Sequence, residues 1–259
     1  MNKRHRVQFP KNELSDSDQD ESYFYLHGTS KKRKIKFHDY DEIYQVPGLY
    51  EQIFYDRLKC ISPNKVSSIL ESAIKQSSDN FTELRVLDLG AGNGMMGEEL
   101  KKHGVSRLVG VDIIPEAYDA LIRDRPGVYD AFYIEDFCAL SEGKKEEIES
   151  WQCDCMVTVA ALGFGDIPTK AFVNAFNIIS NEGWVAFNIK DTFLDSSDET
   201  GFSKLIRELI FSKYLDVYHI ERYRHRLSVD GEPLHYFAVV GRKNAAISSE
   251  FMESKGIVF

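Results

Sequence analysis

No apolar run in this 259-residue chain is long enough to cross a bilayer, and no apolar core follows the polar start Met1-Asn2-Lys3-Arg4-His5-Arg6. Neither a membrane span nor a secretory leader is expected, and the chain reads as a cytoplasmic protein with no membrane partner. Cysteine is scarce as well. Cys60, Cys138, Cys153 and Cys155 make no Cys-x-x-Cys pair and have no histidine at finger spacing, which argues against a metal or redox centre. Cys153 and Cys155 are expected to share one face of a buried strand as small core residues. A basic excess is missing too: 32 Lys and Arg stand against 41 Asp and Glu, a net charge of −9. The surface as a whole therefore does not attract nucleic acid or anionic lipid.

The charge is unevenly spread. Residues 1–38 hold nine Lys/Arg against five Asp/Glu, a surplus of four that leaves −13 for the rest. They contain an acidic patch from Asp16 to Glu21 and a basic run from Lys31 to Lys36. The stretch reads as a flexible, solvated charged arm, and its basic run is of the kind that contacts RNA or directs nuclear import. With 43% hydrophobic and 28% charged residues, the remainder can bury the core of one large α/β domain.

The centre of the chain is Val86-Leu87-Asp88-Leu89-Gly90-Ala91-Gly92-Asn93-Gly94-Met95-Met96-Gly97. An apolar run leads into alternate glycines and then into a helical pattern, so a strand, a tight turn and a helix N-terminus are predicted. Glycine accepts positive φ and lets a ligand lie against the main chain. Two ligands suit such a turn. Gly92 to Gly97 fits the G-x-G-x-x-G pattern for a dinucleotide, with its pyrophosphate on the helix N-terminus. Asp88, at the end of the strand, would repel that group and attract a cationic ligand instead.

Around this turn the pattern alternates. Leu49, Ile53, Phe54 and Leu58 recur near helical spacing, and Ser62-Pro63 opens a second helix with Val66, Ile69, Leu70 and Ile74 on one face. Both helices are expected to cover the ligand cleft, with Tyr50 and Tyr55 in reach of it. Strands follow at Arg85–Leu89, Arg107–Val111, Ala131–Ile134, Cys153–Ala160 and Trp184–Ile189, separated by helices, and the chain closes with an antiparallel pair near 218–222 and 234–240. The prediction is a Rossmann-like doubly wound sheet, mostly parallel with a C-terminal antiparallel strand, in three α/β/α layers with an N-terminal helical cap. Asp112 ends the second strand 22 residues after Gly90, where an acid can accept hydrogen bonds from both hydroxyls of a ribose.

Read from Asp88, the acid-x-Gly-x-Gly-x-Gly turn resembles the first motif of class I S-adenosylmethionine (SAM) dependent methyltransferases, and residues 84–241 resemble that family throughout. Gly163 to Pro168 and Asn188-Ile189-Lys190 are similar to stretches of its small-molecule-type, poorly characterised bacterial branch. The resemblance implies SAM as cofactor and S-adenosylhomocysteine as product. It implies Asp88, Gly90, Gly92 and Gly94 around the methionine part, Asp112 at the ribose, Asp136 with Phe137 at the adenine, where Glu135 is the competing acid, and Ala160 beside the sulfonium. It also implies a helical cap over 39–76 and a SAM-binding domain over 77–259.

The loop Ala160-Ala161-Leu162-Gly163 lacks the Asp/Asn-Pro-Pro-aromatic signature of base-amine methylases and the cysteine of cytosine C5 methylases, and the paired-glutamate loop of arginine methylases is absent. A small-molecule acceptor is therefore expected over nucleic acid. Asp166, Asp191 and His225 fall in loops or strand edges near the ligand end and are the candidate bases. Arg224 or Arg226 could clamp an acidic substrate. Two other functions stay open at this point: a catalytically silent SAM-binding regulatory partner, and an NAD(P)-dependent oxidoreductase.

Overall fold

The structure, a computed structural model, describes residues 4–10, 22–28, 31–163, 166–194 and 200–257. The first surprise lies where a solvated arm was expected. Strands β1 (Arg6–Gln8), β2 (Tyr23–His27) and β3 (Lys32–Lys36) pair antiparallel in a small sheet. Residues 11–21, which hold the acidic patch, are outside the described residues. The basic run is thus a strand, anchored because Phe24 and Ile35 face inward and pack with Phe37, Leu49 and Ile53. Its lysines stay at the surface, Lys32 over the Tyr25 ring at 3.4 Å and Lys34 over Tyr23 at 3.8 Å. Charge dominated the composition here, but two buried apolar side chains at strand spacing suffice to seat the segment.

After the short helix α1 (Tyr40–Tyr44), residues Glu51–Arg57 form a π-helix rather than the α-helix expected, with Leu58 N donating to Ile53 O at 2.9 Å. The apolar residues 49, 53, 54 and 58 recur every four to five positions, a spacing that suits the wider turn. Helix α2 (Ser62–Lys75) also departs from expectation. Its apolar face joins the cluster of Val86, Val157, Trp184 and Ala186, so it belongs to a layer of the large sheet and reaches the cleft through Pro63 in its first turn.

The large sheet is built from β4 (Arg85–Leu89), β5 (Arg107–Asp112), β6 (Ala131–Ile134), β7 (Cys155–Thr158), β8 (Trp184–Lys190), β9 (Leu215–Leu227) and β10 (Pro233–Lys243). Its order is β6-β5-β4-β7-β8-β10-β9, parallel except for β10, which runs antiparallel to both β8 and β9. This is the expected Rossmann-like sheet with a reversed C-terminal strand. Helices α3 (Met95–Lys102), α4 (Pro115–Asp124), α5 (Glu142–Glu149), α6 (Thr169–Ile178), α7 (Phe202–Phe211) and α8 (Ser249–Ser254) complete the layers.

Both faces are covered, so the central strands are largely apolar, with Asp88, Thr158 and Asn188 as buried polar exceptions in β4, β7 and β8. Leu87, Met156 and Phe187 face α6 and α7, while Val86, Val157 and Ala186 face α2 and α3. Cys153 packs in the first of these layers and Cys155 in the second, against the expectation of one shared face. The strand begins only at Cys155, so the two-residue period does not reach back to Cys153. All four cysteines are free. No helix among the described residues is long and apolar enough to cross a membrane.

Candidate functional site

Strands β4, β5, β6 and β7 end at one edge of the sheet, and a cleft of about 290 Å³ opens there, as expected where the strand order reverses. Its floor is the turn between β4 and α3, where Gly90, Gly92 and Gly94 have φ of +73°, +54° and +87°. At Gly92 a Cβ would stand 2.5 Å from the Tyr44 hydroxyl oxygen. Gly92→Ala therefore combines a left-handed backbone cost of about 1–2 kcal/mol with displacement of Tyr44. A lowered melting temperature together with weaker ligand binding is the expected outcome; a variant matching the wild type in both would show that the turn tolerates a side chain.

The donors of this turn are engaged within the protein. Gly90 N and Ala91 N both donate to Val111 O at 2.9 Å, Gly94 N donates to Ala91 O at 3.0 Å, and Gly92 N donates to Asp112 Oδ2 at 2.8 Å. A diphosphate relies on N–H groups at such a turn, and here those of Gly90, Ala91 and Gly92 are turned to β5. Asp112 Oδ1 accepts from Ile114 N at 3.0 Å. Burial raises the Asp112 pKa, partly offset by these backbone N–H groups. So anchored, Asp112 lines the cleft.

The cleft wall carries Asp112, Glu135, Asp136 and Asp166, and no lysine or arginine among the described residues. Asp136 is fixed by Cys138 N, which donates to its Oδ1 at 2.7 Å, and the ring of Phe137 is buried beside it. Ala160 holds a φ of +61°, rare for a residue with a side chain, and its N–H donates to Asn188 Oδ1 at 2.6 Å. Asn188 Nδ2 in turn donates to Tyr223 Oη at 2.7 Å and Ser62 Oγ at 3.1 Å. A buried network behind β8 thus anchors the start of the loop after β7, a role the sequence did not disclose.

Of the residues read from sequence, Gly90, Gly92, Asp112, Asp136, Phe137, Ala160 and Asp166 line this cleft. Asp88 does not. It points beneath the turn, 1% exposed, where Tyr129 Oη donates to it at 2.6 Å, and burial pushes its pKa up to about 7. Gly94 also stands back from the cleft, starting α3, where a Cβ would meet Leu121 at 2.7 Å. Asp191 is paired with Arg222 at 2.9 Å, away from the cleft. His225 is buried and bonded to Ser62 Oγ at 2.6 Å, and burial, aided by the Arg226 charge, holds its pKa well below the ordinary value, so it stays neutral.

Four residues were not anticipated. His38 follows β3 and meets Asp166 through Nδ1 at 2.9 and 3.1 Å. Tyr40 joins Tyr50 and Tyr55 in an aromatic wall. Asn93 Oδ1 and Glu51 Oε2 are buried acceptors without a donor, although Asn93 Nδ2 and Arg125 Nη1 both donate to Glu51 Oε1 at 2.8 Å. Among the described residues no cluster of His, Cys, Asp and Glu could hold a metal ion.

Comparison with known proteins places this geometry. No family model matches the chain. It is similar to the protein arginine N-methyltransferase 1 of Saccharomyces cerevisiae, with 26% identity over 119 residues, 46% of this chain and 30% of that protein. The chain thus spans less than a third of the length of this curated relative. Among solved structures it resembles the N-methyltransferase NodS of Bradyrhizobium japonicum in complex with S-adenosylhomocysteine, with a TM-score of 0.53 and 13% identity over 80% of this chain and 97% of that one. It also resembles a candidate RNA methyltransferase from Pyrococcus horikoshii, with a TM-score of 0.50 and 18% identity over 70% of this chain and 85% of that one. The chain therefore has the class I SAM-dependent methyltransferase fold.

Proposed function

We propose that this protein is a cytoplasmic SAM-dependent methyltransferase acting on a small-molecule acceptor. The observation that carries this reading is the chemistry of the cleft: four carboxylates, no lysine or arginine among the described residues, and a glycine turn in which the N–H groups of Gly90, Ala91, Gly92 and Gly94 are engaged internally. Such a site favours a cationic ligand with a ribose over a dinucleotide diphosphate. The likeness to NodS, whose structure holds S-adenosylhomocysteine, points the same way. Four free cysteines suit a reducing compartment.

The residues present fit SAM. Asn93 Oδ1, a buried acceptor without a donor beside the glycine turn, is a seat for the methionine ammonium. Asp112 would take the ribose, Asp136 the adenine amino group, and Phe137 the adenine face. When bound, SAM supplies a sulfonium methyl group that passes to a nucleophile in line, the C–S electron pair returning to sulfur.

The chain's own part is placement. Tyr40, Tyr50 and Tyr55 present aromatic faces that favour a cation and exclude water. The Asp166–His38 pair lies on the acceptor side of Ala160 and would hold the proton that the nucleophile releases. The negative surface and the cap over the cleft favour a small acceptor over a nucleic acid.

Calorimetric titration with SAM, S-adenosylhomocysteine and NAD tests the reading. Saturable binding of the first two without NAD is expected, and formation of S-adenosylhomocysteine with a metabolite panel separates an enzyme from a silent SAM-binding partner. NAD binding in place of SAM would sink it.

A further inference from the structure

Strand β9 pairs Arg224 with His235 and Arg226 with Leu234, so His225 is an extra residue opposite no partner, a β-bulge. Its effect is visible in the burial. Tyr223 is buried and Arg224 exposed, as alternation demands, yet His225 and Arg226 are both buried, each 4% exposed. The bulge has turned the Arg226 side chain inward, where an unbroken strand would have sent it to solvent.

Arg226 there lines a second, smaller chamber of about 30 Å³ that shares His38, Tyr40, Tyr50, Ala160 and Asp166 with the cleft. A guanidinium taken out of water needs a counter-charge or a full set of acceptors. Arg226 has neither. One N–H donates to Leu227 O at 2.9 Å and the Phe37 ring lies 5.7 Å away, but no carboxylate among the described residues pairs with it. Asp166, the carboxylate on this wall, is held by His38 at 2.9 Å, and His225 beside Arg226 is engaged with Ser62 at 2.6 Å.

The geometry points to an acceptor-binding subsite in which Arg226 receives a carboxylate of the methyl acceptor, behind Ala160. Size supports a carboxylate: a chamber of 30 Å³ holds about two waters, room for a planar two-oxygen group and too little for a ring. Arg226 presents its donors in a fork that matches the two oxygens. The remainder of the acceptor then lies along Tyr40 and Tyr50, with its nucleophile facing the shared wall of the cleft. This subsite rests on the methyl-transfer reading above and makes the acceptor a small carboxylic acid.

The test uses the full chain saturated with S-adenosylhomocysteine and titrated with benzoate, benzamide and inorganic phosphate, following binding by nuclear magnetic resonance. Benzoate is expected to bind about tenfold or more tighter than its uncharged isostere, as a charged hydrogen bond requires, and phosphate to bind weakly. Arg226→Met should erase the preference for benzoate, and Arg226→Lys should keep part of it, with the affinity for S-adenosylhomocysteine unchanged in both. Equal binding of benzoate and benzamide, a preference that survives Arg226→Met, or no benzoate binding overturns the subsite. The wild-type comparison stands even should a variant not fold. Failure of S-adenosylhomocysteine to bind, measured first, instead overturns the methyl-transfer reading.

Discussion

Replacing Asp112 by alanine is expected to weaken SAM binding about ten- to hundredfold, the loss that accompanies removal of hydrogen bonds to a charged group, on the order of 1.5–3 kcal/mol. Its oxygens are already oriented by Gly92 N at 2.8 Å and Ile114 N at 3.0 Å, so the carboxylate is fixed before any ligand arrives. The same change leaves Gly92 N without its acceptor, which loosens the floor of the cleft. Asp112→Asn separates the two effects, since it keeps the side-chain shape but lowers the acceptor capacity, and should fall between wild type and alanine. Calorimetry with SAM is the measurement, with circular dichroism to verify the fold. An alanine variant of undiminished affinity would remove Asp112 from the site.

Asp88→Asn is expected to stabilise the protein at pH 8 and to do little near pH 4. Asp88 is raised by burial from 3.8 to about 7, with the Tyr129 hydroxyl opposing the shift and the Asp112 charge adding to it. Between those values the folded chain keeps a proton that the unfolded chain has lost. Stability from this group is thus complete below pH 3.8, declines as pH rises, and is gone above about 7. Three pKa units correspond to about 4 kcal/mol, an upper bound for a single buried group. Asparagine carries no such pH term and can still accept from Tyr129. The melting temperatures of wild type and variant should diverge between pH 5 and 8, while SAM affinity stays within threefold because Asp88 does not line the cleft. A variant that is less stable at every pH, or that no longer binds SAM, would refute this placement.

What the sequence disclosed followed from how local each signal is. The glycine turn, Asp112 and the Asp136-Phe137 pair were legible because strand ends and tight turns are specified by a few neighbouring residues, and the parallel sheet gathers strand ends at one edge. Asp88 stands off the cleft for a geometric reason: alternation along β4 turns position 88 toward α3, two residues before the turn begins at Gly90. His38, Asn188 and Arg226 lie far apart along the chain and meet only through tertiary packing. His38 was hidden within a stretch whose charge suggested an arm, while Phe24, Ile35 and Phe37 were the signal that it folds. Arg224 and Arg226 could not be told apart by alternation alone, because the bulge at His225 breaks the two-residue rule between them.

The π-helix carries a consequence for how the entrance can evolve. Tyr50 and Tyr55 are five positions apart, and five residues of an α-helix would leave them on well-separated faces. The wider coil brings both onto the cleft while Glu51, on the same segment, is tied to Asn93 and Arg125 below. A single surplus residue therefore couples the roof to the floor, and deleting it would rewind the segment and swing one ring away from the ligand. Homologues that narrow this coil should have remodelled the entrance as well, and with it the range of molecules admitted.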